Sequence, residues 1–174
     1  MHLTAYKNAE SFFEKFCKNM DRSSRVVDFG AYDVNGTMKP IFSPHFGYIG
    51  IDMEKGPNVD IVCKNDSTPF VSNSIEIVVS NSSFEHDTSF WTTFLEMVRI
   101  CKPNGYIYIN APSQSHYHPF PVDCWRFYKD SWKALEQWAI KNNHSIELVE
   151  TYIDEGDHWK NSVGIFKKTW RSKN

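Results

Sequence analysis

Five short apolar runs constrain this chain more than any other feature: RVVDFG (25–30), YIGIDM (48–53), VDIVC (59–63), IEIVV (75–79) and YIYINAP (106–112). Runs of this length, apolar with little alternation and bounded by Gly, Asn or Asp, read as strands buried on both faces. Between and around them the apolar period lengthens to that of a helix. Phe12, Phe13, Phe16, Cys17 and Met20 recur at helical spacing over 9–20. In TSFWTTFLEMVRIC (88–101), Trp91, Phe94, Leu95 and Val98 share one helical face, Thr88 or Ser89 can serve as N-cap, and KPNG (102–105) ends the helix and turns the chain. SWKALEQWAIKNN (131–143) places Trp132, Leu135 and Trp138/Ala139 on another face and closes on two asparagines. By this spacing Trp91, Trp132 and Trp138 are core residues. IELVETY (146–152) and SVGIFKK (162–168) read as two final strands joined around Gly156 with no helix between them, so the last strand is antiparallel. Strands that alternate with helices and then close on such a pair predict a single-domain, doubly wound, mostly parallel α/β sheet with helices on both faces.

The bulk numbers narrow the partners. A chain of 174 residues is one domain with a real core. Its 19 basic and 21 acidic residues, net charge −2, give no electrostatic footprint for nucleic acid or an anionic membrane, so neither is expected as a partner. The four cysteines form no C-x-x-C pair, which argues against a zinc knuckle and a disulfide framework and suits a reducing compartment. Cys17, Cys63 and Cys101 lie in apolar runs and read as core. With no charged leader ahead of an apolar run, and no apolar stretch near the roughly 20 residues of a membrane span, the expectation is a soluble cytoplasmic protein.

The first strand runs into VVDFGAYDVNGT (26–37). In a doubly wound sheet, ligands lie at the carboxyl ends of the strands, and Asp28 and Gly30 stand at such an end. A second acid, Asp52, ends the next strand about 20 residues on, where a carboxylate can accept both ribose hydroxyls of a nucleoside. A dinucleotide loop needs G-x-G-x-x-G so that backbone can approach a pyrophosphate. Here Tyr32, Asp33 and Val34 occupy that stretch, which argues against an NAD-type oxidoreductase. A nucleoside cofactor without phosphate removes the conflict. S-adenosylmethionine is one, and its ammonium and sulfonium charges favour an acid such as Asp28 nearby.

With VVDFGAYDVNG, YIGIDME, DSTPFVSNSIEIVVSNSSFEHD and EMVRICKPNGYIYINAPS in this order, the stretch from about 24 to 115 resembles the class I S-adenosylmethionine-dependent methyltransferases of the small methyltransferase-domain type. PVDCWRFYKDSWKAL (121–135) also resembles a Trp-Arg-Phe element found after the fifth strand in one branch of that family. The resemblance implies a Rossmann-like seven-stranded sheet with the cofactor across the ends of the first, second and fourth strands. Gly30 and Ala31 would pass under its methionine part, Asp28 would sit near the amino group, Asp52 would hold the ribose and Met53 would lie beside the adenine. Lys64 stands where the family commonly has the acid that caps the adenine amino group, so Asn65 or Asp66 would take over. Asn81 and Ser82, after the fourth strand, line the same edge. NSSF (81–84) is not the D/N-P-P-Y/F run of enzymes that methylate base amino groups.

The rest of the sequence divides around this core: an N-terminal helix over 1–23, the cofactor-binding core 24–112, a Pro- and aromatic-rich acceptor loop 113–129, and a C-terminal helix and strands over 130–174. Methyl transfer from a sulfonium is an in-line displacement that rests mostly on holding donor and acceptor in place, so no obligatory catalytic dyad is required. His86 and His118 are the candidate bases. Glu85 and His86 can equally fix the loop. His116 and His118 have the spacing of two metal ligands, but no third ligand of matching spacing follows, so no metal is expected. Asp123 and Arg126 form either a local ion pair or, with Trp125 and His116, part of an acceptor site for a planar or anionic group. The expected activity is methyl transfer to a small molecule or a sugar unit. A non-catalytic S-adenosylmethionine-binding protein on the same fold is the alternative.

Overall fold

The computed structural model describes residues 2–170. Seven strands form one sheet: β1 (Arg25–Phe29), β2 (Gly47–Asp52), β3 (Ile61–Val62), β4 (Ile75–Asn81), β5 (Cys101–Pro112), β6 (Ile146–Ile153) and β7 (Asn161–Lys168). Their order is β3-β2-β1-β4-β5-β7-β6. β1 pairs in parallel with both β2 and β4, and β4 pairs in parallel with β5. β7 is antiparallel to both of its neighbours, β5 and β6. The expected doubly wound sheet with an antiparallel last strand is therefore present. The strand order reverses between β1 and β4, which opens a crevice at their carboxyl ends.

Alternate residues of each central strand feed two separate cores. Val26, Ile77, Val79, Tyr108, Val163 and Ile165 face α1 (Leu3–Phe12), a following turn of π-helix (Phe13–Cys17), and the short α2 (Lys39–Phe42). Val27, Phe29, Val78, Ile107, Ile109 and Phe166 face α3 (Phe90–Ile100) and α4 (Lys129–Lys141). Each fully buried side chain of this kind contributes about 1.5–3 kcal/mol. This is why the strand runs are apolar on both faces.

Several expectations are corrected. The helix expected over 1–23 ends earlier, as α1 (Leu3–Phe12) and the π-turn to Cys17, with Ala5 and Ala9, both fully buried, extending its apolar face ahead of the 9–20 run. Thr88 and Ser89 give α3 no side-chain cap, although Ser89 holds the N-cap position. KPNG does end α3, but it bulges within β5. Pairing passes from Ile75 with Cys101 to Ile77 with Tyr106, and Asn104 takes a positive φ of 67°. Trp132 is core, whereas Trp91 and Trp138 are 36% and 40% exposed and line an open surface hollow with Phe90 and Leu135. Cys17 and Cys101 are buried, while Cys63 is only half-buried at the margin of the α3/α4 core. No helix among the described residues is long and apolar enough to cross a membrane.

Candidate active site

A cleft of about 620 Å³ opens over the carboxyl ends of β1, β2 and β4. Asp28, buried near the end of β1, accepts a hydrogen bond from the Tyr48 hydroxyl on its Oδ2, while its Oδ1 is buried without a partner. Burial, with the Asp52 charge adding to it, pushes the Asp28 carboxyl up to about 7. The next turn is made by Gly30 at φ +75°, and a Cβ there would lie 2.1 Å from Ser83 Oγ, so only glycine lets the β1 loop pass the β4 loop. The amides of Gly30 and Ala31 both donate to Ile51 O at 3.0 Å, which ties the β1 loop to β2.

Asp52 ends β2 and accepts from the Tyr32 amide at 3.2 Å and from the Glu54 amide at 3.0 Å. Asp33 turns into its own loop and accepts from the Gly36 amide at 2.6 Å. Met53, 60% exposed, and Asn65, whose Oδ1 is buried without a partner, stand on the same wall. Asn81 and Ser82 close the β4 side. Asn81 Oδ1 is a third unpartnered buried oxygen, and Ser82 holds a positive φ of 51° with its amide bonded to Asn110 O at 2.8 Å.

The far end of the cleft is built by two loops that meet. Glu85 and His86 lie in a single 3-10 turn (Phe84–His86) after β4. His118 comes from the long loop after β5, which is pinned by the amides of Cys124 and Trp125 donating to Glu85 O at 2.8 and 3.3 Å. Asp123 and Arg126 staple that loop: Arg126 donates to Asp123 at 2.5 and 2.8 Å, and the His118 amide donates to Asp123 at 2.8 Å. The Arg126 guanidinium holds the Asp123 carboxyl down at about 2. Trp125 packs against Phe90 and donates its indole N–H to Asp87 O at 2.8 Å. Burial pushes the Glu85 carboxyl up to about 8 and the His86 imidazole below its ordinary value.

The residues expected from the sequence therefore divide. Asp28, Gly30, Ala31, Asp52, Met53, Asn65, Asn81, Ser82, His86 and His118 share the one cleft. Asp66, His116, Asp123, Trp125 and Arg126 lie outside its walls. Asp123 and Arg126 bond to each other, and Arg126 also donates to His116 O at 2.8 Å, so the ion-pair reading describes them, although Arg126 Nε is buried without a partner. Sequence reasoning missed Trp159 and Asn161. The start of an antiparallel strand lies at the carboxyl edge of its parallel neighbour, and Asn161 stands opposite Pro112 at the end of β5. That register was the signal available for them.

The walls fit the expected cofactor. Five carboxylates line the cleft (Asp28, Asp52, Glu54, Glu85 and Asp87), and no Lys or Arg does among the described residues. Four unpartnered acceptor oxygens, on Asp28, Asn65, Asn81 and Glu85, lie among these walls. A cationic, donor-rich nucleoside suits such walls, and a pyrophosphate does not.

Comparison with known proteins agrees. Residues 31–109 match the methyltransferase domain family. Burkholderia thailandensis 1,6-didemethyltoxoflavin-N1-methyltransferase, solved with S-adenosylhomocysteine, superposes with a TM-score of 0.75 at 14% identity, covering 95% of this chain and 79% of that one. A chain of the Haloferax volcanii complex that contains the Trm112 methyltransferase activator gives 0.71 at 16% identity, covering 99% and 92%. Haemonchus contortus phosphoethanolamine N-methyltransferase 2, solved with S-adenosyl-L-methionine, gives 0.63 at 15% identity, covering 94% and 53%. A search of curated proteins finds no match. With its sheet order, its acid-lined cleft and this match, the chain carries a stretch similar to the methyltransferase domain over residues 31–109 and has the fold of the class I S-adenosylmethionine-dependent methyltransferases.

Proposed function

We propose that the protein transfers the methyl group of S-adenosylmethionine to a small-molecule or sugar acceptor that enters at the Glu85–His86–His118 end of the cleft. The observation that carries this reading is the cleft's chemistry: carboxyls and orphaned oxygens along the β1–β2–β4 wall, imidazoles at the opposite end, and, among the described residues, no Lys or Arg in its lining. Asp52 offers the carboxylate for the ribose, Asp28 the charge for the ammonium, and Asn65, rather than the exposed Lys64 or Asp66, the oxygen for the adenine amino group. The cofactor supplies a methyl group already activated on a sulfonium, so the chain's contribution is to orient, to exclude water and to receive a proton where the acceptor carries one. His86 and His118 are the groups at the acceptor end able to receive it.

Calorimetric titration with S-adenosylmethionine, S-adenosylhomocysteine and NAD tests the reading. Heat is expected with the first two and none with the third, and Asp52→Ala should weaken both by roughly ten- to a hundredfold, about 1.4–2.8 kcal/mol. Silence with the two adenosyl ligands would sink the proposal. Release of S-adenosylhomocysteine in the presence of phenols, amines and sugars then reads transfer itself. Binding without release across that panel would favour the non-catalytic alternative.

A further inference from the structure

The acceptor end gathers three groups that the sequence keeps apart. One ligand atom each from Glu85, His86 and His118 can be chosen so that all lie within 4.8 Å of one another. His86 Nε2 stands 3.7 Å from Glu85 Oε1, and the two imidazoles meet edge-on with centroids 5.0 Å apart. Glu85 is only 2% exposed, lines the cleft, and has its Oε2 buried without a hydrogen-bond partner. A carboxyl buried in this way is costly to ionise unless a cation meets it.

The outer contacts of both rings select the tautomer a metal needs. His86 Nδ1 faces the Val122 carbonyl at 2.5 Å. His118 Nδ1 faces Asp123 Oδ2 at 3.2 Å and the His116 carbonyl at 3.3 Å. Arg126 Nη2 reaches the same Nδ1 at 3.4 Å, but its stronger bonds run to Asp123 and His116 O, both at 2.8 Å. Each Nδ1–H is thus given to an acceptor, and each Nε2 keeps its lone pair. Imidazoles oriented by a carboxylate or a carbonyl on the outer nitrogen are the usual support of metal-ligating histidines.

We propose that Glu85, His86 and His118 form a binding site for a divalent transition-metal cation, with Zn²⁺ the best match to two imidazoles and one carboxylate. Three protein ligands leave a coordination position open to the cleft. In a tetrahedral site with bonds of about 2.1 Å, ligand atoms stand about 3.4 Å apart, so the Glu85–His86 pair at 3.7 Å has about 0.3 Å to close and no pair has more than about 1.4 Å. The H-x-H spacing misplaces the site: His116 contributes no atom to the cluster, and the partners of His118 precede it, on the loop after β4.

The consequence for chemistry rests on the methyltransferase reading and narrows its acceptor to a hydroxyl-bearing molecule. A hydroxyl oxygen held in the open position loses its proton more readily, and the proton passes to solvent because the imidazoles that receive it in the metal-free site are then ligands. That oxygen then forms a bond to the methyl carbon as the carbon–sulfur bond breaks, and the electron pair returns to sulfur to leave S-adenosylhomocysteine.

Titrating the chelator-treated protein with ZnCl₂ by calorimetry, and with CoCl₂ by visible absorption, tests the site without any acceptor. One equivalent should bind, with a Co²⁺ d–d band of a low-coordinate N/O site. Glu85→Gln and His118→Ala should each weaken binding at least tenfold, with His116→Ala unchanged. Circular dichroism identifies any variant that fails to fold, and His118→Ala, in a loop, serves if Glu85→Gln does. Absence of a stoichiometric site in the wild type, or affinity that survives both substitutions, overturns the proposal. S-adenosylhomocysteine titrated into the metal-free protein separates the two claims: binding there with no Zn²⁺ site would leave the methyltransferase reading standing and remove the metal.

Discussion

Asp28 is the side chain by which β1 would meet the proposed cofactor. Its Oδ2 is held by Tyr48 from β2, its Oδ1 has no partner, and burial lifts its carboxyl from 3.8 to about 7. A carboxyl raised in the folded state contributes stability that is full below its unfolded value and is lost as the pH climbs through about 7. A cationic ligand reverses that sense by favouring the charged form. Affinity for S-adenosylmethionine should therefore rise with pH between about 5.5 and 7, by at most about tenfold per unit, below the range where an α-amino group itself titrates. Asp28→Asn should bind more weakly and flatten the profile. A wild-type profile as flat as that of the variant would place the ammonium elsewhere. The sequence marks Asp28 because an acid at the end of an apolar strand is conspicuous. It does not mark Tyr48, which reads there as one more apolar strand residue.

At the scale of elements, α3 depends on a residue from another strand. Lys168, near the end of β7 and only 8% exposed, donates to Val98 O at 2.6 Å, Cys101 O at 2.8 Å and Arg99 O at 3.3 Å, and to Asn73 Oδ1 at 2.7 Å. Its ammonium supplies the donors that the last carbonyls of a helix lack, at the end where the dipole favours a cation. Lys168→Met keeps the stem and strands the Val98 carbonyl, while Arg99 O keeps the Asn73 amide at 3.0 Å, so it should cost about 1–3 kcal/mol, read as a lower urea midpoint at unchanged slope. A midpoint equal to wild type would mean that water satisfies that carbonyl. The helices themselves were legible, since their apolar spacing located α3 and α4 to within a residue or two. Their faces were legible only in part. Periodicity points Trp91, Trp132 and Trp138 inward alike, but it does not give the width of the stripe that the sheet covers, and only Trp132 lies within it.

At the scale of the molecule, β7 between β5 and β6 decides both packing and the site. Its central Gly164 passes beneath the Trp132 ring, where an added Cβ would lie 2.7 Å from two ring atoms. Trp132 also gives its indole N–H to Ser162 Oγ at 2.8 Å, so the ring has little freedom to retreat. Gly164→Ala should overpack this contact and cost about 1–3 kcal/mol, visible as a lower Tm. An unchanged Tm would show that α4 can slide off the sheet.

By itself the sequence determined the strands, their parallel core and antiparallel close, and the acid-rich first wall of the cleft. Those are local matters, in which the burial of a strand writes an apolar run and the strand's end carries the polar residue that lines the cleft. The other wall was decided only by the tertiary structure. Glu85 and His118 come from loops separated by α3 and β5, and they meet because the sheet places the ends of β4 and β5 side by side, with backbone hydrogen bonds pinning one loop to the other. No periodicity records such a meeting, since nothing in a loop repeats. For the same reason the Asp123–Arg126 pair was legible as two charges three residues apart, while its task of aiming His118 at Glu85 and His86 was not.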